Sequence, residues 1–275
     1  MMGNECYEDL VFYNATNDLT AMKGYDFIFC TGSYHSDDMI DEAIEWSKES
    51  GGLCAFTWHW NVPKDIDNPE GGYAFYTSEI TNFSQVNAVT PGTKEYETVI
   101  HDIDLIATKI QRMESEGVTI LFRPLHEASG AWFWWGKGGS ENFKKLWQLM
   151  YDRYTNYWEL DNLIWVLGYS SNGKDYDKWY PGDEYVDIAG ADSYNDGANE
   201  KLYEKTVKVV GEKRPVAFHE CGKIPTVDEL KKANAKWVWF MTWHTEYITD
   251  HNDTKTLKDI YNSDYVITLD ELPKL

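Results

Sequence analysis

Basic residues are scarce in this 275-residue sequence, where 25 lysines and arginines face 46 aspartates and glutamates for a formal charge of −21. A chain that grips phosphates needs a basic face to release counterions, so this field argues against a nucleic-acid binder and repels an anionic membrane surface. The expected partner is neutral or cationic. No apolar run approaches the ~18 residues of a membrane span; the longest are short stretches such as 118–122 and 163–167. The opening Met-Met-Gly-Asn-Glu has neither the basic start nor the apolar stretch of a signal peptide, so either export is absent or a signal has been removed. The four cysteines, Cys6, Cys30, Cys54 and Cys221, are too few and too scattered for a disulfide scaffold. None has Cys-x-x-Cys spacing, and they read as buried thiols. The sequence has no Gly-x-Gly-x-x-Gly after its first strand and no Walker-type loop, which excludes the usual nucleotide cradles. It also has no internal repeat, low-complexity tract or Pro/Ser-rich linker, so residues 1–275 read as one domain.

Aromatic residues, by contrast, are abundant: 13 Trp and 19 Tyr. Flat apolar faces with a polar edge suit the C–H faces of sugar rings, and they equally suit a large core. Short apolar or β-branched runs recur at 26–31, 53–58, 118–124, 163–167, 186–190, 215–218 and 237–242. Segments of helical period lie between them at 37–50, 93–116, 141–157, 200–211 and 226–235. Strands alternating with helices imply parallel pairing with right-handed crossovers. Seven such strands, with a possible eighth at 10–13, predict an α/β fold, a (β/α)8 TIM barrel of about the usual ~250 residues. The first strand is the weak one, so the barrel is expected to be shortened or atypical there.

Reactive groups of such barrels cluster at the C-terminal ends of the strands. Here those ends read Trp58-His59-Trp60-Asn61, Arg123-Pro124-Leu125-His126-Glu127, Asp192-Ser193-Tyr194, His219-Glu220 and Trp243-His244. Glu127 runs on into Trp132-Phe133-Trp134-Trp135. Two carboxylates on different strands, set among indoles and imidazoles, are what glycosidic bond cleavage requires. One protonates the departing oxygen while the other attacks carbon or activates water. Glu127 and Glu220, 93 residues and three strands apart, are the candidates. His59, His126 and His219 could instead ligate a metal, but a general-acid glutamate beside aromatic platforms needs neither metal nor cofactor.

The run Arg-Pro-Leu-His-Glu at 123–127, followed by Gly-Ala-Trp-Phe-Trp-Trp-Gly at 130–136, resembles the signature of glycoside hydrolase family 26, best known for β-mannanases. Trp-His-Trp-Asn at 58–61, Asp-Ser-Tyr at 192–194 and Glu-Cys-Gly at 220–222 extend the resemblance over most of the chain. It implies a (β/α)8 barrel whose fourth strand ends in the acid/base, Glu127, and whose seventh ends in the nucleophile, Glu220. That register makes 26–31 the second strand and leaves only the residues before 25 for the first. It also implies a retaining endo-β-1,4-mannanase acting on a β-mannan-type polysaccharide or oligosaccharide. β-1,3-Xylanase or mixed-linkage β-glucanase activity is the nearest alternative, and a non-catalytic carbohydrate-binding protein the next. Tyr194 is expected to hold the Glu220 carboxylate. His59, His126, Trp132, Trp135, Asp192, Trp243 and Arg123 are expected around the sugar, Trp132 and Trp243 as stacking platforms. Arg123 can equally serve to bridge buried carboxylates. Since long glycans do not cross membranes, the expected place of work is extracellular. Three Asn-x-Ser/Thr sequons stand at Asn14, Asn82 and Asn252.

Overall fold

A computed structural model of the chain describes residues 7–273. Its strands are β1 (Met22–Asp26), β2 (Leu53–Thr57), β3 (Val62–Pro63), β4 (Tyr73–Ala74), β5 (Ile120–Arg123), β6 (Leu163–Ser170), β7 (Ile188–Ser193), β8 (Val216–Cys221) and β9 (Phe240–Thr242). The α-helices are α1 (Tyr7–Thr16), α2 (Asp38–Ser50), α3 (Gln85–Ala88), α4 (Lys94–Ser115), α5 (Trp134–Lys137), α6 (Ser140–Asp152), α7 (Glu200–Val210), α8 (Val227–Ala233), α9 (Glu246–Thr249) and α10 (Thr254–Tyr261). Apart from the antiparallel ribbon β3–β4, the strands form one parallel sheet in the order β1-β2-β5-β6-β7-β8-β9. Each barrel strand pairs with the next one in the chain, so the sheet curls in one direction and never reverses order. Among the described residues these seven strands make a nearly closed (β/α)8-type barrel, shortened as expected, and not a doubly wound sheet, whose strand order reverses.

Local signals account for the helices. Thr93 accepts the Tyr96 amide at 3.2 Å to start α4, whose buried stripe of Val99, Ile103, Ile106, Ile110 and Met113 keeps the helical period. Thr226 and Glu229 form a capping box at the start of α8. Five of the 13 tryptophans, Trp58, Trp60, Trp134, Trp135 and Trp147, are fully buried in this core. Their N–H groups find acceptors, as in Trp60 to Asp102 (2.8 Å) and Trp134 to the Trp60 carbonyl (2.8 Å).

Several expectations are corrected. Residues 10–13 are not a strand but the middle of α1, where Thr16 bonds back to the Phe12 carbonyl (2.8 Å) and Phe12 packs on Tyr261 with centroids 5.1 Å apart. The run at 26–31 begins earlier, at Met22, and stops at Asp26, whose side chain accepts the Ile28 amide (2.9 Å) and turns the chain into a 3-10 segment, Phe27–Cys30. The helix expected over 141–157 is α6 followed by a π turn, Arg153–Tyr157, where Arg153 pairs with Asp104 through two 2.7 Å bonds. Cys30, Cys54 and Cys221 are free and buried, while Cys6 lies outside the described residues.

Among the described residues β1 and β9 do not pair, so the ring of amides has one seam. The seam is filled from three directions. Met241 of β9 reaches over Gly24 of β1, where a Cβ would lie 2.8 Å from its sulfur. Thr20 bridges Thr268, and the Leu269 amide bonds the Leu19 carbonyl (3.0 Å). α1 packs against α9 and α10 around the cluster Phe12, Ile224, Ile248, Leu257, Ile260 and Tyr261. The edges that an incomplete barrel exposes are thereby covered.

A bulge in β8 matters most for the site. Gly190 of β7 stands opposite Ala217, but Asp192 stands opposite Glu220, so β8 carries an extra residue there. The same excess appears against β9, between Phe218 and Cys221. A bulge re-aims the side chains that follow it. Beneath it, His219 fits only because β6 and β7 carry Gly168 and Gly190, where Cβ atoms would lie 2.7 and 2.5 Å from its ring.

The placement of α1 is checked by unfolding in urea. Phe12→Ala is expected to lower stability by about 3 kcal/mol, whereas Tyr13→Ala on the exposed face changes it by less than about 0.5 kcal/mol. Equal losses would contradict a helix packed over the seam.

Candidate active site

At the C-terminal end of the barrel the chain leaves β5 in an unusual conformation. Leu125 and Glu127 both have positive φ, 53° and 54°. Non-glycine residues there cost about 1–3 kcal/mol each and persist only where the surroundings impose them. Here the Glu127 amide is pinned to the Gly168 carbonyl of β6 at 2.9 Å. Strict strand alternation would send His126 and Glu127 to opposite faces. The two left-handed residues break that alternation.

One carboxylate oxygen from each of Glu127, Asp192 and Glu220 lies within 4.8 Å of the other two. Arg123 is the cation that holds this trio together. Its Nη2 donates to Glu220 Oε2 at 2.9 Å, and its Nη1 lies 3.4 Å from both Asp192 oxygens. The other Glu220 oxygen accepts the Tyr194 hydroxyl. Both oxygens of Glu220 are therefore acceptors. Three acids against one guanidinium leave an excess of negative charge in a dry site. Burial first, then the charges of Asp192 and Glu220, push the Glu127 carboxyl up to about 9. Burial and Glu220 also raise Asp192 well above the ordinary carboxyl range, in spite of Arg123. Trp132 donates its indole N–H to Glu127 Oε2 at 3.1 Å, its ring lying so close over Gly130 that a Cβ there would overlap it.

The imidazoles are held in defined states. Asp26, at the end of β1, accepts the His59 backbone amide (3.0 Å) and lies 2.5 Å from His59 Nδ1, which fixes the proton on that nitrogen. Thr57 donates to the Arg123 carbonyl (3.2 Å) and so accepts from His126 Nδ1 at 3.3 Å. Burial, and then the charge of Arg123, hold His126 and His219 well below the usual imidazole range, hence neutral. His59 and His126 meet edge to face at 4.8 Å, and Trp243 lies 5.7 Å from His59.

Not every expected sugar contact faces the groove. Trp135 is fully buried with its N–H on the His126 carbonyl (2.8 Å), so it is a prop beneath the loop and not a platform. Arg123 is 4% exposed and engaged with two carboxylates, which is the bridging reading rather than the sugar-binding one. Asp192, 1% exposed between Arg123 and His219, supports its neighbours and has no surface for a ligand. Trp132 and Trp243 remain partly open, as platforms require. The histidines His59, His126 and His219 do not assemble as a ligand set; among the described residues the trio that does is the three carboxylates, already bridged by Arg123.

Sequence reasoning missed two contributors. Asp26 was legible only as the start of a strand that in fact ends there. Tyr76, 43% exposed beyond β4, stacks on Phe133 at 5.4 Å and 27°. The charges of Glu127 and Glu220, after burial, raise its phenol, so it borders the same groove. The aromatic run Tyr73-Ala-Phe-Tyr was the available signal.

A model of glycosyl hydrolase family 26 matches residues 4–271. Mannan endo-1,4-beta-mannosidase B of a Piromyces species is 39% identical over 270 residues, covering 94% of this chain and 45% of that protein. The crystal structure of a ruminal GH26 endo-beta-1,4-mannanase superposes with a TM-score of 0.92 at 35% identity, covering 97% of this chain and 61% of that one. A beta-mannanase from a symbiotic protist of the termite Reticulitermes speratus, complexed with gluco-manno-oligosaccharide, gives 0.88 at 32% identity, covering 97% and 84%. The chain spans about half the length of the curated relatives it matches. With the family model covering nearly the whole sequence and the barrel shared throughout, this chain belongs to glycosyl hydrolase family 26.

Proposed function

We propose that residues 1–275 form one catalytic domain, a retaining endo-β-1,4-mannanase that cleaves mannan, glucomannan or galactomannan. The observation that carries the mechanism is the approach of Glu127 and Glu220 to within 4.8 Å. Retaining glycosidases hold their carboxyl groups about 5–5.5 Å apart, whereas inverting enzymes leave about 6.5–9.5 Å for a water. The mannan preference comes from the names of the relatives. Because such a polymer does not cross a membrane, the chain acts outside the cell.

In the first step Glu220 attacks the anomeric carbon while Glu127 gives its proton to the departing glycosidic oxygen. A C–O bond forms to Glu220 as the glycosidic C–O bond breaks, and the shortened chain leaves as an alcohol. Glu127, now ionised, takes a proton from water as the hydroxide attacks the same carbon and Glu220 is released as carboxylate. Arg123 and Tyr194 hold Glu220 with an oxygen aimed at carbon. Trp132, Trp243 and Tyr76 shape the open walls for the sugar rings, with His59 and the more deeply buried His126 (2% exposed) behind them.

The acid role fixes the sign of the pH dependence. Glu127 has to be protonated in free enzyme, so kcat/KM is expected to fall as pH rises through about 9. Glu127→Gln abolishes that limb on a substrate with an activated aryl leaving group. Stability follows the same proton: a carboxyl raised in the folded state contributes fully below its unfolded value of about 4.5 and loses that contribution as pH rises towards 9. Glu127→Gln therefore gains stability relative to the parent between pH 5 and 9, read by denaturant midpoints at each pH.

For the roles, Glu127→Ala is expected to retain turnover of the activated aryl mannoside and lose it on polymer. Glu220→Ala loses both, and the opposite pattern would exchange the assignments. A panel of glucomannan, galactomannan, β-1,3-xylan and barley glucan tests the substrate. Reducing ends are expected from the first two, and release from the last two alone would overturn the mannan reading.

A further inference from the structure

Tyr194 places its hydroxyl on Glu220 although the residue is 43% exposed. A side chain half in water keeps such an aim only if something restricts its rotamers, since positioning of reacting groups is lost with small displacements. The nearby support is Tyr247 of α9, whose ring lies 5.0 Å from that of Tyr194 at 54°. Behind it, Tyr247 rests on His251 at 4.8 Å. Gly222, two residues past Glu220, lies beneath both rings: a Cβ there would come within 3.1 Å of Tyr247 and 3.2 Å of Tyr194.

Asn252 ties these parts together. It is 2% exposed, and each polar atom of its amide is engaged. Oδ1 accepts the Ile224 amide at 2.9 Å, while Nδ2 donates to the Gly222 carbonyl at 2.9 Å and to the Tyr247 carbonyl at 2.6 Å. One side chain thus joins the loop leaving β8 to the helix that carries the supporting ring.

We infer that Asn252, Tyr247 and Gly222 form a positioning clamp that fixes Tyr194 against Glu220. The inference rests on the proposed role of Glu220 as nucleophile. Asn252 is a positioning residue that acts through two others on the carboxylate. Its place in a sequon, Asn252-Asp253-Thr254, is consequently incompatible with glycosylation of the folded chain, because the amide nitrogen is already bonded twice inside the protein.

A double-mutant cycle on oligomannoside hydrolysis tests the clamp. Tyr194→Phe, Tyr247→Ala and Asn252→Ala are each expected to lower kcat roughly tenfold, the size of a lost hydrogen bond to a charged group, with KM within about twofold. In the Tyr194→Phe background, Tyr247→Ala and Asn252→Ala are expected to add nothing further. Leu257→Ala, which opens a cavity in the neighbouring cluster, should lower the melting temperature without the kcat loss. Full additivity of the two changes would overturn the clamp, as would a kcat loss in Leu257→Ala equal to that of Asn252→Ala. Should Asn252→Ala fail to fold, Tyr247→Ala and Gly222→Ala carry the same cycle. An active Glu220→Ala would sink the nucleophile assignment, whereas an additive cycle beside an inactive Glu220→Ala would sink only the clamp. In protein from a glycosylating host, mass spectrometry should find Asn252 unmodified, and a glycan on Asn252 in active enzyme would also overturn the inference.

Discussion

A single guanidinium sets the terms for everything around it. Arg123 lies in a nearly dry pocket with Asp192 and Glu220 on its nitrogens and Glu127 close by. Burying one of these acids unpaired would cost several kcal/mol, and removing a partner from such a pair typically costs about 3–5 kcal/mol. One cation cannot balance three carboxylates, however. Burial first, and then this imbalance, drives a proton onto Glu127, so the surroundings that hold the cluster together also make its members unequal. Glu220 has donors on both of its oxygens. Glu127, with an indole on one oxygen and negative neighbours, keeps its proton.

The fold is arranged to deliver these groups with little freedom. β5 brings Arg123 and, through two left-handed residues, Glu127; β7 brings Asp192; the bulged β8 brings His219 and Glu220. Without the extra residue in β8, Asp192 would not stand opposite Glu220. Beneath them two glycines on adjacent strands admit the His219 ring. Arg123, Asp192 and Glu220 thus sit on strands, and Glu127 on a turn pinned to β6, which keeps the distances short.

Much of this was legible from the sequence because barrel strands announce themselves as apolar runs and chemistry gathers where they end. Arg123, Glu127, Tyr194 and Glu220 all stand at such ends, and the structure brings them together. What was not legible depends on contacts distant in the chain. The left-handed φ of Leu125 and Glu127 is imposed by β6, and no local signal marks it. Trp135 looks like its neighbour Trp132 in the sequence, yet one is sealed under the His126 carbonyl and the other remains partly open. The bulge in β8 has no composition of its own. Residues 10–13 are a short apolar run that reads as a strand, but it lies within a helix whose Phe12 face packs on Tyr261, and it is this distant contact that the sequence does not show.

The seam between β1 and β9 gives the barrel a weakest line. Amide ladders open cooperatively, whereas a closure made of a methionine, one bridge and two packed helices can come apart in a local fluctuation. The three carboxylates hang from β5, β7 and β8, so β1 and β2 stand between them and the seam on one side and β9 alone on the other. Heat therefore enters this barrel asymmetrically, loosening the ground under Glu220 before that under Glu127.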